Sequence, residues 1–187
     1  TLEKTLGKID KIIVDKNAKE LNGDDILFVL ARDKFENQIT LDSKGVVGTI
    51  MTNKGLENSL TEMGVDLVRS DVGDRYVLQK LEELNWDLGG EQSGHIISLD
   101  SSNSGDAIIA AIKFLEAYIC SNLPLDQLLK PFVKYPQILT NIKTDNSEKV
   151  LKNKNFKNLL KEISLNLKKY DGRVNVRPSG TEPLIRI

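Results

Sequence analysis

Along residues 46–121 the apolar side chains switch repeatedly between short unbroken runs and stripes spaced three or four apart. Val46 to Met51 is such a run, rich in β-branched residues, and predicts a buried strand. Leu56, Leu60 and Met63 then recur at helical spacing, and Gly64 marks a stop. DLVRS at residues 66–70 predicts a second strand, and Val77, Leu78, Leu81 and Leu84 a second helical stripe. HIISL at 95–99 predicts a third strand, and residues 105–121 a helix apolar at Ile108, Ile109, Ile112, Leu115 and Ile119. Strand and helix alternate, which places strands in parallel pairs with helices laid over them. The expected class is therefore α/β, built in layers. Upstream, residues 12–14 predict a short strand and KNAKELNGDD a turn, with Asp24 or Asp25 placed to cap a helix towards Ala31.

The pattern changes near residue 124. Pro124, Pro131 and Pro136 follow closely, as in a linker or boundary. PQILTNIK predicts a strand. Residues 147–169 predict one long helix with Phe156, Leu159, Leu160, Ile163 and Leu167 on one side. Asp171-Gly172 predicts a turn, RVNVRP a strand, PSGTEP a loop and LIRI a last strand. That order is a small α+β unit, so two domains are expected.

Composition limits the partners. Net charge is −1, which argues against a non-specific grip on nucleic acid or on an acidic membrane. No apolar run approaches the ~20 residues of a membrane-spanning helix. TLEKTLGKIDK lacks the apolar core of a secretion signal. The single cysteine, Cys120, leaves no intrachain disulfide and no paired-cysteine metal site. It reads as a small buried hydrophobe. A cytoplasmic setting is the default expectation.

Two loops carry most of the chemistry. In GGEQSGH, three glycines fall within residues 89–94. Each would cost about 1 kcal/mol in a helix, and strand interiors disfavour them too. They predict a loop that lets Glu91 and Ser93 meet a ligand's hydroxyls. His95 is the only histidine. Imidazoles move protons near neutral pH, so His95 is an acid/base candidate, set against a plain structural hydrogen bond. In RPSGTEPLIR, Arg177 and Arg186 flank Ser179, Gly180 and Thr181. Backbone amides around a glycine form an anion nest, and arginine forks fit phosphate. The competing assignment is a solvated hairpin turn. In VGDRYV, Asp74 reads as a helix N-cap. Arg75 would then oppose the helix dipole, a local conflict of the kind found at sites. The MTNKG segment, residues 51–55, is either a substrate-side loop or a simple strand-to-helix connection.

GGEQSGH, VGDRYV, TIMTNKG, SGDAI and RPSGTEPLIRI occur together and in this order in the phosphohexomutases, and the chain resembles that family over residues 11–187. Gln92 favours the glucosamine branch over the phosphomannomutase and phosphoglucomutase branches. The resemblance implies the last two of four domains: an α/β third domain at 12–130 and a small α+β phosphate-binding fourth domain at 135–187. Residues 1–11 would be a remnant of the second domain.

The implied activity interconverts glucosamine 6-phosphate and glucosamine 1-phosphate through a phosphoserine and a bisphosphate, in amino-sugar metabolism. Glu91 and Ser93 would grip the sugar, His95 would serve as acid/base, and Arg177, Ser179, Gly180 and Thr181 would hold the phosphate that is not reacting. Arg75 and Arg186 are subsidiary candidates. Two departures matter. The family's serine loop, TASHNP-like, is absent from this sequence, and the metal loop reads LGKIDK, with Asp10 alone of three carboxylates. One carboxylate beside two lysines is a poor magnesium ligand set. The chain is thus expected to be a C-terminal fragment, trimmed at its end, inactive alone and without bound Mg2+, its partners being a phosphorylated hexosamine and the missing N-terminal domains. A sugar-phosphate-binding module without catalysis is the other assignment. A nucleotide-binding domain would need a GxGxxG or GxxxxGK[ST] motif, and the sequence has neither.

Overall fold

The computed structural model describes residues 13–36, 45–102, 104–179 and 182–187. It divides into two compact units, one extending to Tyr135 and one running from Pro136 to Ile187. No helix among the described residues is long and apolar enough to cross a membrane.

The first unit opens with a two-stranded antiparallel ladder, β1 (Ile13–Val14) and β2 (Glu20–Leu21), followed by helix α1 (Gly23–Glu36). Its main sheet has the order β4 (Asp66–Ser70), β3 (Gly45–Thr49), β5 (Leu88–Gly90), β6 (Ile96–Ser98). Strand β3 is parallel to β4 on one side and to β5 on the other. Strand β6 folds back antiparallel to β5. The sheet is therefore mixed rather than wholly parallel.

Helices cover both faces. Successive strand residues point to opposite sides. Val46, Leu88 and Ile96 join the larger core beneath α1, α2 (Lys54–Glu62) and α4 (Ala107–Ser121). Val47 and Ile97 pack on the other side with Val77 and Leu81 of α3 (Asp74–Leu84). This two-sided burial explains the unbroken apolar run at β3, all five of whose residues are buried.

Local signals set several boundaries. Asn53 caps α2, its side chain accepting from the Gly55 N–H. Gly64, at φ +71, ends it: Val65 N–H donates to Leu60 O and Gly64 N–H to Thr61 O, the paired bonds of a Schellman stop. Helix α1 is capped by Asn22 rather than by Asp24 or Asp25. The Asn22 Oδ1 accepts from Asp24 N and Asp25 N, and Asp25 Oδ2 accepts from Asn22 N in return.

Three expectations fail here for physical reasons. Gly89 and Gly90 belong to an interior strand, not to a loop. A Cβ on Gly89 would sit 2.8 Å from Val47 O and 2.9 Å from Val77 Cγ1, so the glycine serves close packing of α3 on the sheet. Helix α4 buries Ala110, Phe114 and Ala117, while Ile108, Ile112, Leu115 and Ile119 are exposed. Cys120 is exposed as well. The proline-marked segment after Pro124 begins with a short helix, α5 (Leu125–Leu128), its Leu128 and Phe132 enter the first unit's core, and the division between the units falls at its last proline, Pro136.

In the second unit, β9 (Leu184–Arg186) is the central strand, flanked by β7 (Asn141–Lys143) and β8 (Arg177–Pro178), all antiparallel. The expected long helix is two: α6 (Ser147–Lys152) and α7 (Lys154–Lys168). Asn153 separates them, its side chain capping α7 by accepting from Asn155 N and Phe156 N. No residue of α7 is buried. Asp171, at φ 55, and Gly172 form the expected turn, with Gly172 N–H returning to Leu167 O.

Candidate functional site

The hairpin at residues 91–95 joins β5 to β6 and is closed by its own backbone. Glu91 N–H donates to His95 O (2.9 Å) and Gly94 N–H to Glu91 O (3.0 Å). The buried Glu91 carboxylate receives the Gly73 N–H at Oε1 and the Ser93 hydroxyl, 3.4 Å away, at Oε2. Gly73 immediately precedes α3, so the carboxylate sits where the helix dipole favours an anion. Ser93 itself is exposed. His95 is half-buried, and its Nδ1 lies 3.5 Å from Asp74 Oδ1.

Asp74 is consequently not the cap of α3. Gly73 occupies that position with no side-chain cap bond, and the Asp74 carboxylate turns to His95 instead. Arg75 follows in the first turn as expected, but its partner is Tyr76: Nη2 donates to the hydroxyl at 2.7 Å and the guanidinium lies 4.6 Å over the ring.

These residues share one edge of the sheet. Met51 follows β3, Gly73 and Asp74 follow β4, and Glu91 follows β5, so all stand past the carboxyl ends of the three parallel strands. That edge is where open α/β sheets bind ligands. A cavity of about 260 Å³ opens there, lined by Thr49, Met51, Val72, Glu91, Gln92 and Ser93. The MTNKG segment thus contributes Met51 to the cavity wall.

Asp24 is the residue that sequence reasoning missed, having placed it only as a cap. It is fully buried at the start of α1. Its Oδ2 accepts from the Asn53 backbone N–H (3.0 Å) and from the Gln92 side-chain amide (3.3 Å). Burial pushes its carboxyl up to about 6, against the lowering effects of the Asn53 bond and the Lys134 charge. Two adjacent acidic residues in a turn-like segment give no hint in sequence that one will be buried. Its neighbour Asp25 is buried too and is neutralised by Lys134.

In the second unit, Arg177 and Arg186 are cross-strand partners in the β8–β9 register. Arg186 Nη2 donates to Glu182 Oε2 at 3.2 Å. The Nε of each arginine is buried and has no hydrogen-bond partner among the described residues. Ser179 N–H donates to Leu184 O (2.9 Å), which pins the strand next to the loop. Gly180 and Thr181, expected to line this loop, lie outside the described residues, as does Asp10.

The family model for the phosphoglucomutase/phosphomannomutase alpha/beta/alpha domain III matches residues 22–135, and that for the C-terminal domain of the same family matches 139–187. The chain belongs to the phosphoglucomutase/phosphomannomutase family. Among curated relatives of this chain, the phosphoglucosamine mutase of Vibrio vulnificus (strain YJ016) is 43% identical over 182 residues, covering 97% of this chain and 40% of the relative. The phosphoglucosamine mutase of Legionella pneumophila (strain Corby) is 42% identical over 176 residues, covering 94% of this chain and 38% of the relative. The chain thus spans about 40% of the length of the curated relatives it matches. Solved structures support the same fold. An Aspergillus fumigatus N-acetylphosphoglucosamine mutase superposes with a TM-score of 0.75 at 18% identity over 94% of this chain and 41% of that one.

One structural neighbour is a complex with GlcNAc-6P and magnesium, which raises the question of a metal in this chain. Asp74, Glu91 and His95 bring one donor atom each within 4.8 Å of one another, the one such group among the described residues. Magnesium prefers an octahedral shell of oxygens. A set that includes an imidazole nitrogen, with the Glu91 carboxylate already bonded to Gly73 and Ser93, does not fit it. No magnesium-dependent step is assigned to these residues.

Proposed function

We propose that this chain forms the sugar- and phosphate-recognising part of a phosphoglucosamine mutase, interconverting glucosamine 6-phosphate and glucosamine 1-phosphate. The observation that carries the proposal is the 91–95 hairpin at the carboxyl edge of β3, β4 and β5, where Glu91, Ser93, His95 and Asp74 cluster beside a small cavity. Identity above 40% to relatives of that name supports the choice of substrate.

The chemistry assigned to each group follows from its surroundings. The Glu91 and Ser93 oxygens accept from and donate to sugar hydroxyls. Glu91 is held rigidly by Gly73, so little side-chain freedom is lost when a sugar binds. In the reaction, a sugar hydroxyl oxygen attacks the phosphorus of a phosphoserine that another part of the full-length enzyme supplies. The serine oxygen–phosphorus bond breaks and the hydroxyl proton must leave. His95 accepts that proton at an imidazole nitrogen and returns it in the reverse transfer. The Asp74 carboxylate lies 3.5 Å from His95 Nδ1, on the side of the ring away from the accepting role proposed here. Arg177 and Arg186, with Ser179, Gly180 and Thr181, hold the phosphate that is not transferred. The domain limits proposed for these roles are 12–130 for the sugar and 135–187 for the phosphate.

Calorimetric titration of the 187-residue chain with glucosamine 6-phosphate and with mannose 6-phosphate tests this. Binding with preference for the glucosamine ester is expected. Failure to bind any hexose phosphate at millimolar concentration would sink the proposal.

A further inference from the structure

We propose that Asp24 is a positioning residue that ties the 91–95 hairpin to the turn at residues 51–53 and so sets the geometry in which the hairpin meets a sugar phosphate. The inference rests on the sugar-binding assignment made above.

Asp24 is not among the residues that line the cavity. One carboxylate oxygen, Oδ2, takes hydrogen bonds from two separate loops: the Asn53 backbone and the Gln92 side chain. Gln92 and its neighbours Glu91 and Ser93 line the cavity, as does Met51 from the other loop. A single buried acceptor therefore joins two of the segments that line the cavity.

Both attachment points are firm. Asn53 caps α2 through its own side chain, which also accepts from Tyr135 N (3.0 Å) and donates to Tyr135 O (2.9 Å). On the hairpin side, Gly23 N–H donates to Gln92 O at 2.9 Å. A Cβ on Gly23 would fall 1.8 Å from Glu91 O, so the start of α1 is pressed directly onto the hairpin backbone. A shift of Asp24 must move Gln92, and through it the hairpin.

The charged groups around Asp24 do not neutralise it by contact. Lys134 pairs with Asp25, not with Asp24. Asp24 Oδ1 is buried and has no partner among the described residues. Folding would gain by replacing such a carboxylate with a residue that leaves nothing unsatisfied. Retaining it is the kind of local conflict expected where a residue serves a site rather than the fold.

The test uses Asp24→Ala and Asp24→Asn in the whole chain, read by amide NMR spectra across pH and by calorimetry with glucosamine 6-phosphate. In the native chain the Gln92 side-chain amide and the Asn53 backbone amide should shift together with one common midpoint. Asp24→Asn should abolish that joint shift. It keeps an acceptor in place, so its sugar-phosphate affinity should stay within about threefold of native, while Asp24→Ala should lose at least about tenfold. A folded Asp24→Ala chain that binds as tightly as native overturns the proposal, and so do two amides that titrate independently. Should Asp24→Ala not fold, the amide titration decides alone. If the native chain binds no hexose phosphate, the sugar assignment fails, and a joint amide shift would show that the tie itself exists without it.

Discussion

Arg177 and Arg186 face each other across β8 and β9, two guanidinium groups in one cross-strand pair. Like charges placed directly opposite destabilise an antiparallel ladder. Glu182 offsets Arg186 in part, yet the buried Nε of each arginine has no partner among the described residues. An anion bound by both arginines, as in the phosphate clamp proposed above, would offset this repulsion. Arg177→Ala should lower affinity for glucosamine 6-phosphate by roughly 10- to 100-fold, the value of one or two charge-assisted bonds. It should also leave the ligand-free second unit as stable as before or slightly more so. Calorimetry and thermal melts read both effects, and unchanged affinity would remove Arg177 from the phosphate clamp.

His95 is set apart from its hairpin neighbours by chemistry. Glu91 is already bonded on both oxygens, whereas the His95 ring is half-exposed, with its Nδ1 3.5 Å from a carboxylate oxygen of Asp74. Glutamine at this position would keep a polar amide but could not carry the proton. His95→Gln in the full-length enzyme should reduce turnover by roughly 100-fold or more, with KM changed little. Steady-state kinetics checks it, and native turnover in the variant would end the acid/base role.

Asp24 gives the first unit a pH dependence whose sign can be worked out. Burial holds its folded carboxyl at about 6, above the ordinary 3.8. The folded state thus favours the protonated form. Stability from this group is full below about pH 4 and is lost as pH rises through about 6, a difference of ~3 kcal/mol. Asp100 acts oppositely. Burial tends to raise its carboxyl, but bonds from Lys113 and Ser98 and the Lys34 charge outweigh that and hold it below the usual range. Its contribution is lost only as pH falls under the ordinary carboxylate range. Comparing Asp24→Asn with the native chain isolates the first effect. The variant should be the more stable at pH 8 by ~1–3 kcal/mol, with the gap closing near pH 4. Urea unfolding at the two pH values measures this, and a gap independent of pH would refute it.

Much of the first unit was legible from period alone. DLVRS coincides with β4, the β-branched run from Val46 overlaps β3 at all but its first residue, and Gly64 ends α2 where its position indicated. The GGEQSGH motif located the hairpin. What escaped was information held in tertiary packing. The glycine pair at 89–90 looked like loop chemistry, and only the closeness of Val77 to the sheet explains it as strand. Asp74 looked like a cap until the hairpin brought His95 beside it. Asp24 carries no local signal, because its two donors come from residues 53 and 92.

Helix α4 is the sharpest case, and it yields a test. The helix is apolar on nearly every side, so spacing cannot select the face that packs. The larger residues Ile108, Ile112, Leu115 and Ile119 recur at a tidy interval and invite assignment to the core. Yet Ile112 is 58% exposed and Phe114 only 2%. Alanines at 110 and 117 flank Phe114 on the buried side, and small residues there let α4 approach α1 closely. The two faces should therefore respond in opposite ways to substitution. Phe114→Ala should cost about 3–5 kcal/mol by opening a cavity. Ile112→Lys, which keeps a good helix former on a solvated face, should change stability by no more than about 0.5 kcal/mol. Urea unfolding of the two variants distinguishes the assignments, since a buried Ile112 would make the lysine substitution the more damaging of the two.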